Sequence, residues 1–234
     1  MLSDDLLALQ GLDTDVDQLR YRRAHLAERL AADEAHAALA TLRRRLDTLT
    51  ARQAELATAV DDAEHRGTEL GTHRTRLEAQ LKTVIAPREA EALMHEIETI
   101  DTERSALDDA ELELLEEQAT VDDEIQTATA ARPAANEQSQ HTAAALATVE
   151  GEIDHEIAVL AERRTSIVGA VPGDVVEDYE RRRAHSDGVA VARLDGRRCT
   201  GCHLDLSTGE FDEVRATPAG DVAECPQCGR MLVP

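Results

Sequence analysis

Apolar side chains recur at alternating intervals of four and three residues over the first third of the chain, with polar and charged residues between them. This heptad spacing predicts an amphipathic helix that buries one narrow stripe against another helix. The phase of the stripe shifts by two residues across the alanine-rich segment Ala31–Ala40, which we interpret as a local change of register rather than a helix end. The stripe consists of Leu12, Val16, Leu19, Leu26, Leu30, Leu39, Leu42, Leu46, Leu49, Leu56, Val60, Leu70, Leu77, Leu81 and Val84.

A second stripe runs from Leu93 to Ile167 on one heptad phase. The intervening Val84-Ile85-Ala86-Pro87 favours a chain reversal, because proline is tolerated in the first turn of a new helix but not inside an existing one. Two helical stretches of similar length around a short turn predict an antiparallel coiled-coil hairpin over residues 1–171, with its tip near 83–88.

The pairing of the two stripes can be expressed through residue numbers. Facing residues have numbers that add up to 170 near the tip, as for Leu56 and Leu114, and to 172 near the base. The slip falls near residues 31–40 of the first helix and 131–141 of the second, which contains Pro133. Proline kinks or breaks a helix, so this height of the hairpin is either a hinge or a kink without functional weight.

Glycine and proline at positions 169–173 end the hairpin. Residues 172–234 then predict a short helix capped by Asp174 and Glu177, followed by a small β-rich domain. In that domain Asp195-Gly196 predicts a hairpin turn, and Ser207 with Glu210 predicts a capped helical turn. The predicted strands are Val189–Leu194, Val222–Cys225 and Met231–Val233. The expected fold class is therefore mainly α, a long antiparallel helical hairpin with a small C-terminal β-rich domain.

All four cysteines of the chain lie in this last segment, as two Cys-x-x-Cys pairs separated by 22 residues. Two residues between thiolates let one tight turn present both sulfurs to a single ion, and two such turns complete a tetrahedron. The spacing predicts a zinc ribbon that binds one structural Zn²⁺. The predicted ligands are Cys199, Cys202, Cys225 and Cys228.

Other uses of the cysteines are less consistent with the sequence. Structural disulfides do not persist in reduced cytosol. Cys199 to His203 matches the attachment motif of c-type haem, but haem leaves the second pair unexplained. A redox Cys-x-x-Cys would need a thioredoxin-like βαβ context, which is not apparent. His203 is expected to be an exposed polar residue, since four cysteines already fill a zinc shell.

Charge and composition narrow the function. The net charge of −23 belongs mostly to the predicted hairpin, because residues 1–171 hold 17 basic and 36 acidic side chains. Such an arm is unsuited to lie along nucleic acid. With no Trp, one Phe and two Tyr, a large globular core is not expected. A cytoplasmic protein with no membrane role is expected, because no apolar run is long enough to span a bilayer and the N-terminus is acidic.

The order of heptad hairpin, short helix and two cysteine pairs resembles the bacterial C4-type zinc ribbon family, which is also described as a domain of unknown function. The likeness spans essentially the whole chain. It is most specific in the four cysteines, in Gly229-Arg230 followed by Met231-Leu232, and in the tip segment Pro87–Ile97. The resemblance implies a zinc-bound, non-enzymatic protein, in some members a binder of RNA or an adaptor for secretion and flagellar machinery.

The leading functional hypothesis is an adaptor that binds protein partners through the arm and the ribbon. The alternative is an RNA- or DNA-binding protein in which arginines of the ribbon end form a basic face, although twelve acidic residues in the same segment equally allow each arginine to be paired individually. These arginines are Arg181, Arg182, Arg183, Arg197, Arg198, Arg215 and Arg230.

Two further classes are weaker. A regulator that inserts its coiled-coil tip into the secondary channel of RNA polymerase would need paired acids at the tip, whereas the turn offers Lys82, Pro87, Arg88 and Glu89. An enzyme is not expected, because no catalytic triad or glycine-rich phosphate loop is recognisable. Four thiolates around zinc also leave no open coordination position for water, so we predict no small-molecule substrate.

Overall fold

The computed structural model describes residues 2–218 and 221–233. Five helices are present in these ranges: α1 (Leu2–Ala24), α2 (Ala27–Leu81), α3 (Pro87–Val168), α4 (Gly173–His185) and α5 (Thr208–Arg215). The same ranges contain four short strands, numbered in chain order: β1 (Val191–Asp195), β2 (Arg198–Cys199), β3 (Ala223–Glu224) and β4 (Met231–Val233). The chain divides into two compact units, Ala32–Thr142 and the combination of Met1–Ala31 with Ala143–Pro234.

The unit of residues 32–142 contains an antiparallel pair formed by parts of α2 and α3. Buried apolar residues of the predicted stripes lie between the helices, and ion pairs flank them. The pairs Arg45–Glu124 and Arg52–Glu117 have residue numbers that add up to 169, close to the predicted 170. The buried stripe residues are Leu39, Leu56, Leu77, Ile100, Val121 and Ala128, and Ala63, outside the predicted stripe, is buried as well. The predicted helical hairpin is confirmed.

The antiparallel register can be tested chemically. Cysteines introduced as Leu56→Cys with Leu114→Cys in the zinc-loaded chain are expected to crosslink within one chain, because the predicted register places these positions opposite each other, close to the ion pair Arg52–Glu117. The pair Leu56→Cys with Leu93→Cys is the control, since about 20 residues of helix, or roughly 30 Å, separate position 93 from position 114. Mass spectrometry of the digested protein distinguishes the outcomes. Crosslinks that join two chains would contradict the hairpin.

The sequence predicted one continuous first helix, and this is wrong at His25 and Leu26, where α1 ends and α2 begins. No glycine or proline causes the break. The imidazole Nδ1 of His25 lies 2.8 Å from the Tyr21 carbonyl oxygen, and the ring stacks on that of Tyr21. In a continuous α-helix the backbone N–H of His25 would donate to the Tyr21 carbonyl. Here the His25 side chain occupies that carbonyl, and the backbone N–H donates to the Arg22 carbonyl instead.

Pro133 does not break α3, which continues through residues 131–141, and α2 continues through 31–40. Proline removes one backbone donor, and a long helix with a packed stripe tolerates that loss. The proposed hinge stays a prediction.

In the other unit, α1 packs with α4, β1, β4 and the end of α3. The shared core contains Leu6, Leu9, Val171, Tyr179, Ala190, Val191, Met231 and Val233. Gln10 of α1 extends this core with hydrogen bonds to the start of β1. Its side-chain oxygen accepts from the backbone N–H of Ala190 at 2.7 Å, and its Nε2 donates to the Gly188 carbonyl at 2.9 Å. The N-terminal helix is therefore part of the same core as the sheet.

The strands form one sheet in the order β2-β1-β4-β3. The predicted turn at residues 195–196 joins β1 to β2, with Leu194 opposite Cys199. Strand β4 pairs with β1 in parallel and with β3 in antiparallel orientation. Ser207 and Glu210 form the predicted capping box of α5. The predicted cap of α4 by Asp174 is wrong. The N-cap residue is Pro172, and no side chain makes a capping hydrogen bond at this helix start.

Candidate zinc site

The two Cys-x-x-Cys segments have the same backbone conformation. In the first, the His203 N–H donates to the Cys199 carbonyl at 2.8 Å and the Cys199 N–H donates to the Leu204 carbonyl at 3.1 Å. In the second, Gly229 and Arg230 make the equivalent bonds with Cys225, at 2.8 and 2.9 Å. Each pair of cysteines therefore lies on a closed loop whose own hydrogen bonds define where the sulfurs point.

The residue that follows each pair has a left-handed backbone. Gly229 has φ +71° and His203 has φ +61°. Glycine adopts this conformation without steric cost, whereas histidine is strained there. His203 is exposed, as predicted, and its carbonyl accepts a hydrogen bond from Arg198 Nε at 2.9 Å.

The four sulfur atoms converge on one point. Each offers an Sγ, and all four Sγ atoms lie within 4.8 Å of one another. The two loops face each other, with Cys202 Sγ 4.0 Å from Cys225 Sγ. Four sulfurs bound to Zn²⁺ at about 2.3 Å would be about 3.8 Å apart in a tetrahedron. The arrangement fits that geometry, and the convergence of all four sulfurs on one point favours a shared metal ion over two separate disulfides or haem attachment through one pair.

The environment of the thiols is uneven. Cys199 and Cys225 are fully buried beside Leu206 and Leu232. Burial above all raises the pKa of Cys225 to about 12, and burial also raises that of Cys202. Burial by itself raises the pKa of Cys228, but hydrogen bonds with Arg230 and with the Cys225 and Cys202 thiols together lower that pKa to about 7. Zinc requires thiolates, so its binding releases protons and weakens as pH falls.

Arg230 connects the second loop to the segment between α4 and β1 and packs against the first loop, a role that sequence reasoning did not assign. Its Nε donates to the Val189 carbonyl at 2.8 Å, and its Nη2 donates to the Ser186 carbonyl at 3.1 Å. On the way its side chain passes over Gly201 in the first loop, where a Cβ would lie only 2.6 Å from Arg230 Cδ. The glycine between the first two cysteines is thus needed for close packing.

This contact leads to a prediction. Gly201→Ala is expected to cost about 1–3 kcal/mol, because the new methyl group overlaps Arg230 Cδ and lies 3.0 Å from Ala192 Cβ. Chelator competition should show faster zinc release. Gly209→Ala in α5 is the matched control, since beyond the adjacent residues and the backbone of its own helix its added Cβ meets no described heavy atom within 4 Å. Equal zinc retention by both variants would contradict the packing role of Arg230.

Each of the seven arginines proposed for nucleic-acid contact makes at least one interaction within the chain, and their role in contact stays a prediction. Arg182, for example, bonds to Asp178, to Glu224 and to the Gly229 carbonyl. The other partners are Asp178 for Arg181, Asp17 for Arg183, the Leu206 carbonyl for Arg197, the His203 carbonyl for Arg198, the Phe211 ring for Arg215, and the Ser186 and Val189 carbonyls for Arg230.

The fold and the site together define a coiled-coil hairpin protein that carries a four-cysteine zinc ribbon. The chain belongs to the CT398-like coiled coil hairpin family, whose model matches residues 9–187. The C4-type zinc ribbon domain matches residues 198–232, and the four cysteines are the ligands of its structural zinc. Neither family is a typical enzyme class.

Similar proteins span nearly the same length. Two uncharacterized proteins of Mycobacterium tuberculosis, from strains CDC 1551 and H37Rv, are each 26% identical to this chain over 242 residues, covering 97% of this chain and 93% of theirs. The structure of CT398 from Chlamydia trachomatis matches with a TM-score of 0.86 at 22% identity, covering 99% of this chain and 96% of that one.

Two further solved structures share the fold. A Mycobacterium smegmatis protein matches with a TM-score of 0.80 at 25% identity and covers 98% of this chain and 96% of its own. HP0958 from Helicobacter pylori matches with a TM-score of 0.62 at 16% identity, with coverage of 98% and 95%. Among the residues that the structure describes, no helix has both the length and the apolar character needed to cross a membrane.

Proposed function

We propose that this protein is a non-enzymatic adaptor that binds protein partners through its coiled-coil hairpin and its zinc ribbon. The observation that carries the proposal is the set of large apolar side chains exposed on an otherwise strongly acidic hairpin. Ile85 is 96% exposed, and Met94 and Leu112 are each 59% exposed. Each of these side chains would gain free energy if a partner protein removed it from water.

A structural role for zinc supports the non-enzymatic part of the proposal. Four thiolates complete a tetrahedral shell and leave no position for a water molecule or a substrate. The metal would then stabilise the ribbon, which has few apolar side chains of its own, rather than take part in chemistry.

Site-specific photocrosslinking in cells tests the adaptor. A photoreactive amino acid placed at Ile85, Leu112 or Leu204, all exposed, is expected to give covalent adducts with other proteins that survive nuclease treatment. Placement at Leu56, which is buried in the seam, is the control and should give none. Loss of every adduct after nuclease treatment, or no adduct at any exposed position, would contradict the adaptor.

Nucleic-acid binding through the ribbon is the alternative. We expect weak or absent RNA and DNA binding near 0.15 M salt, because the seven arginines have internal partners and the chain carries a net charge of −23. Residual binding should weaken linearly with the logarithm of salt, by about 0.7 in slope per phosphate contact on single strands. It should disappear in Arg197→Ala/Arg198→Ala at unchanged zinc content. Tight binding measured by fluorescence anisotropy would favour the alternative.

A further inference from the structure

Residues at the end of α2 and the beginning of α3 line an open groove of about 1000 Å³. Its apolar lining consists of Leu81 from α2 and of Met94 and Ile97 from α3. Leu81 and Ile97 belong to the heptad stripes, whereas Met94 lies outside the stripe and is 59% exposed. A methionine side chain adapts to differently shaped apolar partners, so the groove offers a deformable apolar floor.

Acidic side chains surround this floor. Glu78, Glu91, Glu98 and Asp101 all line the groove, and no Lys or Arg does. Glu78 and Asp101 are ion-paired to Arg74 at 2.8 and 2.6 Å. Glu91 and Glu98 are exposed and form no ion pair with any described residue. Two unneutralised carboxylates therefore lie one above the other on α3, one heptad apart.

The shape of the groove suits a helix. Its lining on α3 extends from Glu91 to Ser105, which corresponds to about 20 Å along the helix axis. A partner helix of about four turns would match that length. Its apolar face would lie on Leu81, Met94 and Ile97, and side chains on its flanks would reach the carboxylates at the rim.

The negative charge of the groove rim favours one kind of binding partner over others. A second copy of this chain carries the same net charge of −23, so it would bring like charges to an acidic rim. Nucleic acid and anionic membrane surfaces are repelled for the same reason. Lys82 lies in the turn before α3 and Arg88 in the first turn of α3, and neither lines the groove. A segment with Lys or Arg beside an apolar face complements the groove in both respects.

We infer that this tip groove is the docking site for a basic amphipathic helix of a partner protein, which lies along α3 with its apolar face on Met94 and its cationic side chains against Glu91 and Glu98. The inference rests on the proposed adaptor function and specifies one of its binding surfaces. It is an example of recognition of a helix in an apolar groove, with charge at the rim setting the choice of partner.

The test uses the full-length zinc-loaded protein and a fluorescent synthetic peptide of about 18 residues with leucine on one helical face and lysine on the other. Fluorescence anisotropy is expected to show saturable binding with one peptide per chain. A peptide with the same composition in scrambled order, and one with glutamate in place of lysine, should not bind, because neither joins an apolar face to positive charge.

Variants locate the site. Glu91→Lys/Glu98→Lys is expected to weaken binding about tenfold or more, since two attractions become repulsions, and Met94→Ser should weaken it several-fold. Glu113→Lys/Glu116→Lys changes the net charge of the same helix equally, and Leu112→Ser removes a side chain that is also 59% exposed. Both controls should bind like the wild type. All positions are exposed, and circular dichroism verifies that helicity is unchanged.

Three results would overturn the inference: no binding of the lysine peptide, equal binding of the scrambled peptide, or equal weakening by the tip variants and their controls. The last two would show attraction to the general acidity of the chain. The adaptor proposal stands or falls separately, because protein adducts at Leu112 or Leu204 would support it even if the groove bound nothing.

Discussion

Replacing Cys225 by serine is expected to abolish stoichiometric zinc binding and to unfold the ribbon while α2 and α3 stay helical. Cys225 is fully buried beside Leu206 and Leu232, and its sulfur lies within 4.8 Å of the other three. Zinc contributes about 10–16 kcal/mol in small zinc domains near pH 7, which is comparable to the whole stability of a typical domain.

Elemental analysis and hydrogen exchange measured by mass spectrometry would test this expectation. The variant should lose zinc and the protection of backbone amides in β1 to β4, and chelation of the wild-type protein should have the same effect. Gln227→Ser is the matched control, because Gln227 lies in the same loop, is exposed, and bonds only to Glu210 through its side chain. Full zinc retention after Cys225→Ser would refute the ligand assignment.

The second large effect is expected at Asp13, which is only 3% exposed. Its carboxylate accepts hydrogen bonds from Tyr179 Oη at 2.7 Å and from Arg164 Nε at 2.7 Å, and Arg183 Nε lies 3.6 Å away. The Asp13 side chain therefore links α1 to α3 and α4. Asp13→Asn removes the negative charge that pairs with Arg164 and Arg183 in this partly buried cluster. The substitution should destabilise the unit by about 3–5 kcal/mol.

The stability that the Asp13 carboxylate contributes is expected to depend on pH. Burial by itself raises the pKa of Asp13, but hydrogen bonds from Arg164 and Tyr179 and the charges of the two arginines hold the pKa below its ordinary value. A lowered pKa in the folded state adds stability that is fully present above about pH 4, the pKa of an unfolded aspartate. That stability is lost as the pH falls through the lower, folded-state pKa.

Urea unfolding of the wild type and Asp13→Asn between neutral pH and pH 2 would measure the difference. The gap between the two free energies of unfolding should be constant above about pH 4 and should narrow below it. Asp15→Asn on the exposed face of α1 is the control and should change stability by less than about 0.5 kcal/mol. A gap that does not depend on pH would mean that the charge of Asp13 is not the stabilising feature.

Local patterns in the sequence determined much of this protein. Heptad spacing predicted the antiparallel hairpin, because each apolar stripe can be buried only against another helix. The two cysteine pairs predicted the zinc site, since four thiolates at that spacing form the tetrahedral ligand set typical of structural zinc. The turn at residues 195–196 and the capping box of Ser207 and Glu210 were also predicted, because their signals lie within four residues of the chain.

Only the tertiary structure decided the features that depend on distant partners. Asp13 meets Tyr179 across 166 positions and Gln10 meets Ala190 across 180, and such pairs leave no periodic trace in a single sequence. The helix break at His25 came from a side chain that competes with the backbone for one carbonyl. By composition the arginines of the ribbon end formed a possible basic face. The packing of α1, α4 and the sheet brings distant partners to three of them: Asp17 to Arg183, Glu224 to Arg182 and the Val189 carbonyl to Arg230.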